Sequence, residues 1–238
     1  MRLDVFLTEK GYEKSRERAQ TLIKSGKVKV GGIIISKPAF DVSENAEITI
    51  IEALRFVSRG GEKLSYALEK FGIDIKDKKC LDIGSSTGGF TDCLLQNGAK
   101  SVICVDVGSN QLDETIRADR RVTVYENMDI RKADPVTFDD VDFLTCDVSF
   151  ISLKLLLPAI KNFIKKGEGV FLIKPQFELT RKNIGKGGIV KNTKLRETAV
   201  KGVTESMLSN GFRVINTAES FPHGTDGNIE YSTYVSFG

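Results

Sequence analysis

The segment from Leu81 to Asp92 constrains the fold of this chain more than any other part of the sequence. It begins as a buried-strand pattern, passes through a turn with glycines at positions 84, 88 and 89, and continues as a helix. Asp106 then closes the next apolar run. In doubly wound α/β folds this layout places a cofactor over the carboxyl ends of parallel strands, where an acidic side chain can bind a ribose. We therefore expect a parallel sheet with a cofactor site at this turn.

The spacing of these three glycines distinguishes between classes of cofactor. No Gly-Lys-Ser or Gly-Lys-Thr follows them, which argues against the phosphate-binding loop of nucleoside triphosphatases. The spacing also departs from Gly-x-Gly-x-x-Gly, which weakens a dinucleotide interpretation. An acidic turn lined by glycine suits a cationic ligand without phosphates, such as S-adenosylmethionine. A purely structural turn in another α/β protein is the alternative.

Strand-like and helix-like segments alternate regularly after residue 62. This alternation is typical of a doubly wound, mostly parallel Rossmann-like sheet that helices cover on both faces. The strands are predicted at 79–83, 102–106, 122–125, 141–147, 168–174, 212–218 and 230–237.

Residues 1–52 are predicted to form a separate, small α+β domain. Ser15 can cap a helix that runs to Ser25, and Gly31-Gly32 can join two short strands as a hairpin. Residues 53–61 contain the predicted linker, and residues 62–238 make the larger domain.

The small domain concentrates positive charge, although the whole chain has a net charge of only +3. Between residues 15 and 37 the one acidic residue is Glu17. A basic helix and hairpin suit binding to a phosphate backbone, with a solvated charged face as the alternative. A second basic run, 181–191, contains glycines and follows a predicted strand end. The predicted RNA-binding residues are Arg16, Arg18, Lys24, Lys27, Lys29, Arg59, Lys182 and Lys186.

The cysteine and histidine content argues against several chemistries. The four cysteines have no metal-ligand spacing, and the single histidine, His223, cannot build a histidine metal site or a catalytic triad. We therefore expect no metal, and cysteines that stay reduced. The sequence also contains neither a secretory signal nor an apolar run long enough to span a membrane, so we expect a cytoplasmic protein.

Four charged residues lie at or near the ends of predicted strands. Asp147 ends the run from Val141 to Cys146, and Lys174 ends a very apolar run. Because parallel strands end at one rim of a sheet, both side chains should face the cofactor turn. Lys63, ahead of the first large-domain strand, and Glu230, at the start of the last strand, could reach the same rim. Two salt bridges at a strand edge are the alternative.

Five motifs give the chain a family resemblance. In order along the chain they are Arg-Gly-Gly-Glu-Lys-Leu, Leu-Asp-Ile-Gly-Ser-Ser-Thr-Gly-Gly-Phe-Thr-Asp, Asp-Val-Ser-Phe-Ile-Ser-Leu, Ile-Lys-Pro-Gln-Phe-Glu and Gly-Asn-Ile-Glu-Tyr. Together with the basic small domain they resemble the TlyA family of rRNA 2′-O-methyltransferases, which are often labelled haemolysins. The small domain is similar to the RNA-binding domain of ribosomal protein S-four, and the large domain resembles FtsJ-type methyltransferases.

This resemblance implies a reaction and a catalytic set. The reaction is methylation of cytidine ribose in rRNA of the small subunit, the large subunit or both, with S-adenosylmethionine as cofactor. The partner is therefore rRNA within ribosomal subunits. The Lys-Asp-Lys-Glu catalytic set of FtsJ-type enzymes falls on Lys63, Asp147, Lys174 and Glu230.

The cofactor contacts are expected around the glycine turn. Asp106 would accept hydrogen bonds from the ribose hydroxyls of S-adenosylmethionine. Asp129 would accept from the adenine amino group, with a simple loop cap as the alternative. The residues expected to flank the methionine moiety are Asp82, Gly84, Ser86 and Gly88.

The charged set suits the chemistry of a ribose hydroxyl. A 2′-hydroxyl is a weak acid, so its attack on a sulfonium methyl needs removal of the proton or strong polarisation. Desolvation and a nearby like charge lower the pKa of a lysine, which can make it a base. We hypothesise that Lys174 is this base and that Lys63 orients the hydroxyl. Asp147 and Glu230 would position the two amines.

Two other functions compete with this hypothesis. One is an RNA-binding ribosome assembly factor whose methyltransferase fold is inactive, and the four filled catalytic positions argue against it. The other is a membrane-lytic protein, as the haemolysin label implies. It ranks last because the sequence has no strongly amphipathic helix or apolar span.

Overall fold

The computed structural model describes residues 1–138, 140–163, 166–224 and 227–238. The chain divides into two compact units, Met1–Arg59 and Gly60–Gly238. Among the described residues, none of the helices combines the length and apolar character that crossing a membrane requires.

The first unit packs two helices against a small antiparallel sheet with strand order β2-β1-β3. The Ser15 side chain accepts a hydrogen bond from the backbone N–H of Arg18 and so caps the second helix. The sequence pattern missed the first helix, which is short and has no side-chain cap. The elements are α1 (Leu3–Glu9), α2 (Arg16–Lys24), β1 (Val28–Val30), β2 (Ile33–Ile34) and β3 (Ile48–Ile50).

The second unit alternates strands and helices along the chain. Its strands are β4 (Lys79–Ile83), β5 (Ser101–Val105), β6 (Val122–Tyr125), β7 (Phe143–Cys146), β8 (Gly167–Ile173), β9 (Phe212–Glu219) and β10 (Tyr231–Phe237). Its helices are α3 (Arg59–Phe71), α4 (Gly89–Gln96), α5 (Glu114–Arg117), α6 (Leu157–Phe163), α7 (Pro175–Glu178) and α8 (Thr193–Ser209). Short 3₁₀ turns lie at Ile130–Lys132, Pro135–Phe138, Leu153–Leu155, Arg181–Asn183 and Lys186–Gly188.

The seven strands form one mostly parallel sheet in the order β6-β5-β4-β7-β8-β10-β9. Strands β4 to β8 pair in parallel, and β10 pairs antiparallel with both β8 and β9. The predicted doubly wound fold is confirmed, and each strand lies within about two residues of its predicted position.

The core of this unit lies around its central strands. Leu144 on β7 and Phe171 on β8 are fully buried and belong to the same apolar cluster as Leu81 on β4. Burying each such side chain contributes about 1.5 to 3 kcal/mol to stability. A well-packed sheet of this kind fixes the positions of the residues that follow its strand ends.

Candidate active site

Polar residues gather at one rim of the large sheet. The parallel register pairs Ile83 with Val105, Ile83 with Cys146, and Cys146 with Phe171. The residues that follow these strand ends are therefore neighbours. On the antiparallel side, Ile173 pairs with Tyr231, so the same end of the sheet carries the residues just beyond that pair. The rim residues are Gly84, Asp106, Asp147, Lys174 and Glu230.

Gly84 is required where the glycine turn meets the neighbouring strand. Its φ of +81° lies in the left-handed region. A Cβ at this position would lie 2.6 Å from the carbonyl oxygen of Asp147 and 3.2 Å from Val148. Any side chain here would push Asp147 away from the rim, so the turn can be this close only with glycine.

A cavity of about 500 Å³ lies over these strand ends. Four of the residues predicted to bind the cofactor line it, namely Gly84, Ser86, Asp106 and Asp129. Asp147 lines it too, so the cavity and the charged rim share a wall.

Asp106 is held with its carboxylate ready to accept further hydrogen bonds. One oxygen accepts from the backbone N–H of Ser86 at 2.8 Å, and the other accepts from that of Gly108 at 2.7 Å. A carboxylate has about four acceptor positions, so two hydrogen bonds leave capacity for a ribose diol. Apolar side chains, including Val107 and Met128, supply another part of the wall. The acceptor positions of Asp106, the apolar wall and the cavity size fit S-adenosylmethionine.

Gln111 is a cavity residue that the sequence pattern did not single out. Its side-chain oxygen accepts a hydrogen bond from the hydroxyl of Ser86 at 3.1 Å, and it lines the cavity. Its side-chain amide lies against Gly108, and a Cβ on Gly108 would lie only 2.1 Å from Nε2 of Gln111. No local motif marks this residue, because its partners lie in two different turns.

Asp82 is not among the described residues that line the cavity. Its side chain is buried, and its two oxygens accept hydrogen bonds from the hydroxyls of Thr91 at 2.7 Å and Thr145 at 2.8 Å. Burial raises the pKa of Asp82 to about 6, and the nearby charge of Asp147 adds to this rise. The carboxyl group therefore joins β4 to α4 and β7, and its expected place beside the methionine moiety of the cofactor stays a prediction.

Gly88 has a structural role at the start of α4, and its expected place beside the cofactor stays a prediction. It is the N-terminal cap of α4 with a φ of +91°. A Cβ there would lie 2.8 Å from Leu112 and 3.3 Å from Ile116. The glycine thus lets the start of α4 pack against the region of α5, and it does not line the cavity among the residues described.

Asp129 has the loop-capping role considered for it and also lines the cavity. It caps the turn at Ile130–Lys132, and its oxygens accept from the backbone and guanidinium of Arg131. This guanidinium lowers the pKa of Asp129 to about 2. The residue faces the cavity, but its contact with adenine stays a prediction.

The four predicted catalytic residues form two ion pairs. Nζ of Lys63 lies 2.6 Å from Oε2 of Glu230, and both side chains are buried. Nζ of Lys174, also buried, lies 2.6 Å from Oδ1 of Asp147. Removing charges from water costs several kcal/mol per ion unless each is well paired, so stability alone is a weak reason for two such pairs at one rim.

Polar neighbours that the sequence pattern missed orient these pairs. Lys174 donates a hydrogen bond to the hydroxyl of Ser149 at 2.9 Å. Gln176 donates to Oε1 of Glu230 at 3.4 Å. Oδ1 of Asp147 is in ion-pair contact but accepts no aligned hydrogen bond from any described residue. Ser149 and Gln176 each lie two positions from a predicted catalytic residue, and this spacing is the signal by which the sequence could have identified them.

Phe150 presents an exposed ring at the cavity. It is 91% exposed, has a φ of +65°, and lines the cavity together with Asp147. Its ring packs on Phe177 with centroids 5.1 Å apart. A positive φ in a bulky residue costs free energy, and such strain clusters at functional sites.

The basic loop 181–191 is tied to the segment that carries Glu230. The side chain of Asn228 accepts from the backbone N–H of Val190 at 3.0 Å and donates to the carbonyl of Gly188 at 3.1 Å. Lys182 and Lys186 within the loop are exposed. Their side chains are accessible to an RNA phosphate.

In the first unit, several predicted RNA-binding residues have partners within the protein. Arg18 donates to Glu13 and to the carbonyls of Phe56 and Val57, and it is largely buried. Arg16 donates to the buried Asp4, and Lys27 pairs with Glu52. Lys24 is exposed, whereas Lys29 and Arg59 are half-buried.

Comparisons with known proteins match both units. Residues 56–237 match the FtsJ-like methyltransferase family, and residues 1–48 match the S4 domain. Hemolysin A of Brachyspira hyodysenteriae is 41% identical over 97% of this chain and 98% of its own length. The 16S/23S rRNA (cytidine-2′-O)-methyltransferase TlyA of Mycobacterium tuberculosis is 38% identical over 98% of this chain and 89% of its own.

Solved structures agree with this match. A candidate hemolysin from Streptococcus thermophilus has 41% identity and a TM-score of 0.78, and the match covers all of this chain and 88% of that one. An S-adenosylmethionine-dependent methyltransferase of Aquifex aeolicus, at 17% identity and a TM-score of 0.54, covers 76% of this chain and 95% of its own. This second likeness shows the fold alone.

Proposed function

The chain belongs to the FtsJ-like methyltransferase family, and we propose that it methylates the ribose 2′-hydroxyl of cytidine in rRNA. It is an enzyme that uses S-adenosylmethionine. The observation that carries the proposal is the position of Asp147, which lines the cofactor-sized cavity and pairs with Lys174. A full-length relative named as a cytidine-2′-O-methyltransferase of 16S and 23S rRNA supports the choice of substrate.

The cavity residues would hold the cofactor by its ribose and its adenine. When bound, S-adenosylmethionine supplies an electrophilic methyl group on a sulfonium centre. Asp106 would accept from the ribose hydroxyls with the acceptor positions that its two backbone hydrogen bonds leave free. The glycine turn at Gly84 keeps the backbone close to the ligand without a side chain in the way.

Lys174 is the proposed base for the ribose hydroxyl. Its Nζ is held between Asp147 and Ser149, so its position is fixed before substrate binds. Fixed positioning favours in-line transfer, because a hydroxyl must be held opposite the leaving sulfur. Lys63, fixed by Glu230, orients the hydroxyl through its own ammonium. General-base catalysis of this type contributes about 100-fold to 10,000-fold to a rate.

Phe150 suits the base of the target nucleotide. Sequence-specific RNA recognition targets single-stranded nucleotides, whose unstacked bases bind to aromatic rings. The ring of Phe150 is exposed, supported by Phe177 and on the wall of the cavity. The base would stack there while its ribose reaches the lysines.

Delivery of the RNA is assigned to the small domain and the basic loop. We assign residues 1–52 to the RNA-binding domain, 53–61 to the linker and 62–238 to the methyltransferase domain. The substrate would be rRNA within ribosomal subunits in the cytoplasm. The alternative, an assembly factor with an inactive fold, is not favoured because both lysine–carboxylate pairs are complete.

Transfer of a labelled methyl group tests this proposal. Purified protein is incubated with labelled S-adenosylmethionine and ribosomal subunits that lack the modification, and the labelled nucleotide is then mapped. We expect label on a cytidine 2′-oxygen. Label on a base, or no label on either subunit although the protein binds the cofactor, would contradict it.

A further inference from the structure

Three aromatic rings form a surface cluster near the Lys63–Glu230 pair. We call Tyr66, Phe221 and His223 the aromatic cluster. The ring centroid of Phe221 lies 6.1 Å from that of Tyr66 and 6.1 Å from that of His223. The rings come from two distant parts of the chain, since Tyr66 is on α3 and the other two follow β9.

The cluster is accessible to a ligand. Phe221 is 60% exposed, although burying a phenylalanine would contribute about 1.5 to 3 kcal/mol. Tyr66 is half-buried, and the imidazole of His223 bonds to Glu219 at 2.8 Å. Single exposed apolar residues are ordinary on protein surfaces. Here Phe221 and His223 are exposed side by side, and grouped exposed apolar surface is a feature of binding sites.

The aromatic cluster lies close to the Lys63–Glu230 pair, both along the chain and through a backbone hydrogen bond. Tyr66 follows Lys63 by three positions on α3, so the two side chains are neighbours on one helix face. The backbone N–H of Ser220 donates to the carbonyl of Glu230 at 2.8 Å. A Cβ on Gly224 would lie 3.0 Å from Oε1 of Glu230.

We propose that the aromatic cluster stacks against a nucleobase next to the target nucleotide. This inference rests on the proposed function. A target ribose at Lys63 brings its neighbours in the strand close to the pair, where Phe221 is 60% exposed. Single-stranded bases stack on phenylalanine, tyrosine and histidine rings. The carboxylate of Glu219 beside His223 repels phosphates, so a base rather than the backbone meets the cluster.

Stacking predicts a specific kinetic effect. Base–aromatic stacking contributes to the free energy of RNA binding, so its loss in Phe221→Ala should raise the KM for rRNA about 5-fold to 100-fold. The affinity for S-adenosylmethionine should not change, because the described cavity wall does not include the cluster. Phe221→Trp keeps a ring and should restore the KM, whereas Phe221→Leu keeps only apolar bulk and should not. Leu208→Ala, an exposed apolar residue on α8, is the matched control.

A crosslink identifies the occupant directly. Phe221 is replaced by the photoreactive analogue benzoylphenylalanine in the full chain, and the protein is irradiated on unmodified subunits. We expect a crosslink to a nucleotide adjacent to the methylated cytidine. A crosslink to a ribosomal protein, to distant RNA, or none at all would overturn the inference.

The two failures can be told apart. If the unaltered protein methylates no cytidine ribose, the proposed function itself is wrong. If it does so and Phe221→Ala has an unchanged KM for rRNA, only the stacking role is wrong.

Discussion

Lys174 and Asp147 illustrate how single residues determine this site. Nζ of the buried Lys174 lies 2.6 Å from Oδ1 of Asp147, and it also donates a hydrogen bond to the hydroxyl of Ser149. Truncating one partner of a buried pair leaves a charge without compensation, at a cost of about 3 to 5 kcal/mol. Variants at these positions must therefore be checked for folding before their activity is interpreted.

Asp82 carries a prediction about stability at this scale. Burial raises its pKa to about 6 from an ordinary 3.8. Between about pH 4 and pH 6 the carboxyl group is ionised in the unfolded chain but still protonated in the folded protein. The free energy of unfolding therefore falls as the pH rises through this window, and it stays at the lower value at neutral pH. The asparagine side chain of the Asp82→Asn variant cannot ionise. We therefore expect this variant to have a higher melting temperature than the unaltered protein, and the difference to be larger at pH 7.5 than at pH 4.5.

Melting curves at the two pH values check this, with the exposed Asp74→Asn as the control. Affinity of Asp82→Asn for S-adenosylmethionine should stay within a few-fold of normal. A gain that is equal at both pH values, or lost cofactor binding, would count against the structural role of Asp82.

Asn228 joins two elements of the site. It fixes the basic loop at Gly188 and Val190, and its own carbonyl accepts from the N–H of Gly224. Asn228→Ala should free the loop, because the loss of buried hydrogen bonds costs about 1 to 3 kcal/mol. We expect faster hydrogen exchange at the N–H of Val190 and a higher KM for rRNA, with Asn216→Ala as the control. Unchanged exchange at Val190 would contradict the coupling.

The basic loop carries a separate prediction about salt. Lys182→Glu combined with Lys186→Glu should weaken RNA binding at low salt and make the plot of log affinity against log salt shallower by about 2. Lys194→Glu with Lys201→Glu changes the net charge equally on exposed positions of α8 and is the matched control. If both double variants behave alike, the loop has no specific contact with phosphates.

The helices and strands show which features of the fold and of the site can be predicted from the sequence. Alternating apolar runs predicted the strands, and the rim followed because parallel strands end together. The role of Asp82 was missed because its partners, Thr91 and Thr145, come from other elements. The contact of Tyr66 with Phe221 could not be predicted, since it depends on the packing of α3 beside the last strands.

At the scale of the whole molecule, the chain combines an S4 domain with an FtsJ-like methyltransferase domain. The first unit uses much of its charge internally, as Asp4 with Arg2 and Arg16 illustrates. These guanidinium groups hold the pKa of Asp4 well below its ordinary value, so this contribution to stability is present at neutral pH and is lost as the pH falls below about 4. Lys24 is exposed, and we propose that it and similar exposed residues contact RNA.

The most direct test of the account is the rate of single-turnover methyl transfer by Lys174 variants on ribosomal subunits. Lys174→Ala and Lys174→Arg should both lose at least about 100-fold, since arginine keeps the charge but cannot act as a base. The exposed Lys201→Ala should be unchanged. A near-normal rate for Lys174→Arg would contradict the central claim, because it would show that only the charge is needed.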